Sequence, residues 1–271
     1  MGELDGKVAI VTGASRGIGE QIARRFAAAG AAVAVTARTV EEGSSTLAGS
    51  LNETVAEIIA DGGAAFAVGA DLRRPEERER LVATVVNQLG PVDILVNNAA
   101  VTYFEPVAGF PAKRMDLMFA VQVEAPLHLA QLVLPSMRER RTGWILNISS
   151  RAALHPALPP NRRFGGTVYG MCKAALERFT TGLAAEVYED GIAVNALSPN
   201  RVVPTAGTLF HGLTTADSPD AEPATLMAEA ALALCVQPPA DADGNPGLTG
   251  RIAYSQDLLA ELGISDVTTR P

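Results

Sequence analysis

Val8-Ala9-Ile10-Val11-Thr12-Gly13-Ala14-Ser15-Arg16-Gly17-Ile18-Gly19 is the stretch whose reading decides the fold. Its first five residues form an unbroken strand-type run, which implies a strand buried on both faces. The glycines that follow, spaced G-x-x-x-G-x-G, open a helix predicted to reach about residue 29. The same alternation continues outward. Residues 32–36, 64–70, 94–97, 144–148, 193–197 and 251–254 read as strands. The helical stretches between them include one ending near residue 60, then 75–89, about 112–138, and 169–188. Buried strands joined by helices predict a single-domain α/β fold, a doubly wound parallel sheet of the Rossmann type with helices on both faces. Such sheets bind ligands beyond the carboxyl ends of their strands, where strand order reverses.

Composition narrows the function classes. With 271 residues and 48% hydrophobic content, the chain can bury a large core. No uninterrupted apolar run reaches the roughly 18 residues of a membrane span. Met1-Gly2-Glu3-Leu4-Asp5 is acidic and enters a strand at once, unlike a secretory leader. Gly6 stands where myristoylation would want Ser or Thr, and Thr268-Thr269-Arg270-Pro271 is not a peroxisomal address. A soluble, cytoplasmic protein without membrane partners is the expectation. Two cysteines, Cys172 and Cys235, make no disulfide framework, and His128, His155 and His211 are scattered, so no metal site is expected. The net charge is −8 and no Lys/Arg block resembles a nucleic-acid footprint. An anionic ligand would have to be met by local charge.

The glycine loop offers that charge. Gly13, Gly17 and Gly19 let the chain turn sharply and bring Ser15, Arg16 and Ile18 to a helix N-terminus, where free N–H groups and the dipole favour a pyrophosphate. A carboxylate at the end of the second strand would accept from a ribose 2′-hydroxyl and repel a 2′-phosphate. This chain has Ala37-Arg38-Thr39 there, with no acid before Glu41. Arg38, helped by Arg16, suits a phosphate because guanidinium donates two hydrogen bonds at once. The expected cofactor is NADP(H).

Tyr169 and Lys173 lie four residues apart, on one helix face behind the fifth strand, which Ser149-Ser150 closes. Reducing a carbonyl needs an acid to protonate the developing alkoxide, and oxidising the alcohol needs its conjugate base. A free phenol titrates near 10, and moving it to about 7 takes about 4 kcal/mol. An ammonium at Lys173, together with a cationic nicotinamide, would supply the field, and Ser150 would hold the substrate oxygen.

Taken together these residues resemble the short-chain dehydrogenase/reductase family, and its hydroxysteroid-dehydrogenase-like branch, as far as about residue 262. The resemblance rests on Thr12-Gly13-x-x-x-Gly17-x-Gly19, Asp71-Leu72, Asn97-Asn98-Ala99-Ala100, Ser150, and Tyr169-x-x-x-Lys173. It implies that Asp71 and Leu72 meet the adenine, and that Asn98 and Ala99 lie along the adenosine ribose. Lys173 would bind the nicotinamide ribose, while Pro199 and Val202 contact the carboxamide. It selects Ser150 over Ser149, makes residues 1–150 the cofactor half and 150–262 the catalytic and substrate half before a tail at 263–271, and implies a homodimer or homotetramer built on the helix after the fourth strand and the Tyr/Lys helix.

The chain departs from the family in three places. Gln122 stands where an Asn commonly supports a water and proton relay. Pro199-Asn200 replaces Pro-Gly, a turn that Asn would survive by adopting positive φ. Ser150 and Tyr169 are separated by more residues than usual, the extra ones being 158–164. Tyr103, Leu154, Phe164 and Phe210 are candidates for an apolar wall, with Arg151, Arg162 or Arg163 near an acidic group; the alternative is that they pack loops or face water. Residues 206–222, rich in Gly, Thr, Asp and Pro, are too long for a passive connection and read either as a mobile lid or as a plain surface loop. The function expected is hydride transfer between nicotinamide and a ketone or secondary alcohol, the substrate being a small carbonyl or alcohol. A sensor or scaffold that binds cofactor without turnover would sooner have lost Tyr169, Lys173 or Ser150. An enoyl reductase would space its Tyr and Lys further apart.

Overall fold

The computed structural model describes residues 2–43, 45–158, 165–237 and 247–264. Its centre is a seven-stranded sheet in the order β3-β2-β1-β4-β5-β6-β7, every pair parallel. The strands are β1 (Val8–Thr12), β2 (Ala32–Ala37), β3 (Ala64–Gly69), β4 (Ile94–Asn97), β5 (Gly143–Ile148), β6 (Ile192–Ser198) and β7 (Ile252–Tyr254). Order reverses between β1 and β4, and that is where the candidate site opens.

The period of two along each strand divides the core. Ala9 and Val11 of β1 face one helical layer with Val33 and Val35 of β2. Val8 and Ile10 face the other with Ala34 and Leu95. The first layer holds α1 (Gly17–Ala28), α8 (Ala224–Val236) and α9 (Ser255–Glu261), packed through Ile22, Phe26, Met227, Ala231 and Leu258. The second holds α3 (Pro75–Leu89), α5 (Ala125–Arg140) and α6 (Thr167–Glu186), packed through Leu81, Val85, Leu129, Val133 and Leu183. The α2 helix (Leu51–Ala60) is capped by Ser50, whose hydroxyl accepts from Glu53 N–H at 3.2 Å.

Several elements differ from the sequence reading. The predicted helix over 112–138 is α4 (Ala112–Phe119), a π turn (Ala120–Glu124) and α5, ending at Arg140. Pro126 supplies a physical reason, because it has no N–H to give the Gln122 carbonyl, and Ala125 N–H instead reaches Ala120 O. An 18-residue window of Ala112–Arg140 has a mean hydropathy of 1.5, enough by composition to cross a membrane, although no unbroken apolar run occurs. Met118, Leu129, Val133 and Met137 bury that apolarity inside the protein. Buried α8 and short α9 were not read from the sequence, and α6 starts at Thr167 rather than Tyr169. The irregular stretch 206–222 begins with a short helix, α7 (Ala206–Phe210), closed by a capping box between Thr205 and Thr208.

Candidate active site

A cleft of about 680 Å³ opens over the carboxyl ends of β1, β4 and β5. At the β1–β4 junction the Thr12 hydroxyl donates to Val96 O at 3.1 Å and accepts from the N–H groups of Asn98 and Ala99 at 2.9 and 3.1 Å. The Asn98 amide donates to the carbonyls of Thr12 and Gly13 at 2.8 and 3.1 Å. Asn98 thus fastens the glycine loop to β4, and Ala99 lines the cleft beside it. The glycines serve different needs. A Cβ on Gly19 would stand 2.4 Å from the Asn98 amide, so Gly19 is a packing residue that does not line the cleft. Gly17 sits at φ +62°, with Thr205 of the α7 segment so near that a Cβ would meet its methyl at 2.9 Å.

Gly13, Ser15, Arg16, Gly17 and Ile18 line one end of the cleft together with Arg38, Thr39, Asp71 and Leu72. Arg16 at the α1 N-cap gives the first-turn N–H groups no side-chain acceptor. Its guanidinium donates to Gly49 O at 2.9 Å, and Gly49, at φ +97°, brings the 45–49 segment over the loop. Burial holds the Arg16 pKa down, and of its charged neighbours Glu53 opposes this while Arg38 adds to it. Arg38 is exposed, and no ion pair or side-chain hydrogen bond engages it among the described residues. The Asp71 carboxylate is taken by Arg73, which donates from Nε at 2.9 Å, and this hydrogen bond holds the acid below its usual range. Two guanidiniums beside the α1 N-terminus, where Glu20 accepts from the Gly17 N–H at 3.1 Å, fit the phosphates of a nucleotide.

Ser150, Tyr169 and Lys173 meet at the other end. Gly170 makes this possible, since a Cβ there would come 2.7 Å from Ala152 O in the turn Arg151–Ala153 that follows Ser150. A buried polar ladder seats the helix. Asn97 donates to Asn147 at 2.8 Å, and Asn147 donates to Thr180 of α6 at 2.9 Å. The Ser150 hydroxyl stands beside the Tyr169 phenol in the cleft, near enough to pull its pKa down. Ser149, which also lines the cleft, donates to Glu177 at 2.7 Å. Burial pushes the Tyr169 phenol up, the Ser150 hydroxyl lowers it, and the Cys172 thiol adds to the rise. Lys173 is buried; desolvation lowers it to about 8, against the influence of Cys172 and Glu177. Its ammonium donates to Ile148 O at 2.8 Å and lies 5.6 Å from the centre of the Tyr169 ring.

The remaining expectations divide. Pro199 and Val202 line the cleft, as do Tyr103, Phe210 and Arg151. Leu154 does not; it is an exposed side chain after the Arg151–Ala153 turn. Phe164, Arg162 and Arg163 lie outside the described residues. Gln122 is buried in the π turn, away from the cleft lining, where its amide donates to Val101 O at 2.8 Å and its Oε1 has no partner. Asn200 does not take positive φ. Its side-chain oxygen instead accepts from Gln256 N–H at 2.8 Å at the start of α9, a capping role. The sequence reading missed Phe104, whose ring stands edge-on to Tyr169 at 5.7 Å and to His211 at 5.3 Å. Its position seven residues past Asn97 was the available signal.

The family described as short chain dehydrogenase matches residues 7–209. The chain belongs to that family. It also falls in the hydroxysteroid-dehydrogenase-like branch of these short-chain dehydrogenases, which use nicotinamide cofactors. Hydroxysteroid dehydrogenase-like protein 2 of Danio rerio is 32% identical over 265 residues, which cover 98% of this chain and 60% of that protein. The chain therefore spans less than two thirds of that relative's length. The 7α-hydroxysteroid dehydrogenase of Escherichia coli (strain K12) is 37% identical over 203 residues, 75% of this chain and 74% of that one. A metagenomic short-chain oxidoreductase in complex with NADP superposes with a TM-score of 0.74 at 29% identity, covering 93% of this chain and 98% of the other.

Proposed function

We propose that this chain is an NADP(H)-dependent oxidoreductase for a ketone/secondary-alcohol pair, with Tyr169 as acid and base. The observation that carries this is the meeting of Ser150 and Tyr169 in the cleft, with buried Lys173 one helical turn behind Tyr169. When bound, the nicotinamide supplies or accepts the hydride. Arg16 and Arg38 would hold a 2′-phosphate, the α1 N-terminus the pyrophosphate, and Asp71, Leu72, Asn98, Ala99, Pro199 and Val202 the remaining contacts. The NADP complex of the metagenomic relative supports this preference.

In the reductive direction Ser150 donates a hydrogen bond to the substrate oxygen and holds it beside the Tyr169 hydroxyl. Tyr169 gives its proton to that oxygen as negative charge develops there. The Lys173 ammonium favours the phenolate left behind, and it donates to Ile148 O, which fixes its direction. In oxidation the proton returns to Tyr169. Gln122, remote from the lining, acts by holding Val101, a cleft residue, through its amide. Val101, Tyr103, Phe104 and Phe210 give the substrate end an apolar wall, suited to a ketone with a hydrocarbon body. Exposed Leu127 and Met171 on α5 and α6 support assembly as a homo-oligomer through those helices.

The test follows NADPH and NADH consumption against apolar cyclic ketones, small ketones, aldehydes and diketones. Turnover with NADPH on ketones, weaker with NADH, is the expected result. Cofactor binding without turnover on the whole panel would contradict the proposal and favour a sensor.

A further inference from the structure

Buried Lys173 carries a charge that the protein must keep in place. Desolvation favours the neutral amine, and the recorded hydrogen-bond acceptor, Ile148 O, is neutral. One helical turn further along α6 stands Glu177, at the i+4 position that neighbours Lys173 on the same face. The Ser149 hydroxyl, projecting from the end of β5, donates to it at 2.7 Å and draws the carboxylate beneath the strand end. Glu177 is half-buried.

Each element packed there contributes to its surroundings. On α6 the group is Lys173, and from β5 it is Ser149. From β7 it is Tyr254, whose hydroxyl is buried without a partner and whose phenol is raised by burial and then by Glu177. From the turn after β5, Arg151 lies 5.6 Å over the Tyr254 ring. Burial raises the Glu177 carboxyl, while the Ser149 hydrogen bond and the Lys173 charge pull it back.

We propose that Glu177 is a positioning residue for the reaction, a carboxylate fixed by Ser149 one turn behind Lys173 that keeps the lysine charged inside the protein. Without it the ammonium loses its proton at lower pH, and Tyr169 loses the cation that favours its phenolate. This inference rests on the roles given above to Tyr169, Ser150 and Lys173.

The experiment records kcat/KM for ketone reduction by NADPH across pH for wild type, Glu177→Gln, Glu177→Asp and Tyr169→Phe. Gln keeps the length of the side chain and an acceptor for Ser149, and removes only the charge. The alkaline limb is expected to move down by about one pH unit in Glu177→Gln, with NADPH affinity unchanged. Glu177→Asp is expected to keep the wild-type limb. An unmoved limb in Glu177→Gln overturns the proposal, as does an equal shift in both variants, which would mark a purely structural role. If Glu177→Gln fails to fold, Ser149→Ala, which releases the carboxylate, should move the limb the same way, and no movement there is equally fatal. Full turnover in Tyr169→Phe would overturn the underlying reading. Lost turnover there with an unmoved limb in Glu177→Gln would sink the Glu177 proposal alone.

Discussion

Replacing Arg38 by Ala isolates the basis of the proposed cofactor preference. Arg38 is exposed and bears no ion pair or side-chain hydrogen bond among the described residues, so its loss should leave folding intact. A hydrogen bond between charged groups contributes about 1.5–3 kcal/mol, and exposure places Arg38 at the low end. At 1.4 kcal/mol per factor of ten, NADPH affinity should fall about tenfold, while NADH affinity stays unchanged. Arg16→Ala should cost more, because it also frees Gly49 O, now held at 2.9 Å, and loosens the 45–49 segment. Arg38→Asp should go further and reverse the preference, since a carboxylate repels the phosphate and can accept from a ribose hydroxyl. Fluorescence titration of each variant with both nucleotides measures the ratio. An unchanged NADPH/NADH ratio in Arg38→Asp would refute the assignment.

Two further outcomes follow from buried charges. Arg25 of α1 and Glu229 of α8 pair at 2.6 Å with side chains only 13% and 7% exposed. Glu229→Ala, leaving Arg25 unpaired, should destabilise by about 3–5 kcal/mol, read as a lower urea midpoint; a loss under about 1 kcal/mol would show the pair to be solvated. Lys173 titrates at about 8 when folded against 10.5 in the open chain, so between those values the unfolded state binds more protons and stability rises with pH. Below that window its burial costs about 3 kcal/mol, and above it the cost is gone. The stability advantage of Lys173→Met over wild type should therefore shrink from pH 8 to 10.5, and a constant gap would disprove the shift.

The strands were legible because parallel strands buried on both faces must be largely apolar, as Val8 to Val11 and Ile192 to Val194 are. The α8 helix was not, because its residues Met227 to Cys235 are buried on every side and show no amphipathic period. Ser150, Tyr169 and Lys173 were readable since their chemistry demands those residue types at a spacing one helix can display. Glu177 was not singled out, because its meaning depends on Ser149, 28 positions away. The same holds for Asn200. Its substitution for Gly suggested a left-handed turn, yet its side chain caps α9, 56 positions downstream, and shares that junction with buried Glu222, which accepts from Ser255 and Gln256. Likewise, reading 206–222 as irregular missed Thr205, which brings α7 against Gly17.

The most direct test of the central claim compares Tyr169→Phe with wild type in NADPH-dependent ketone reduction, together with the NADPH dissociation constant of each. Phe keeps the ring against Phe104 and removes only the hydroxyl that meets Ser150. In Tyr169→Phe, kcat/KM should fall by about 10²–10⁴ with NADPH affinity unchanged, the signature of a lost general acid. Retention of turnover within about twofold would show that the proton comes from another group, and the assignment of Tyr169 would fall.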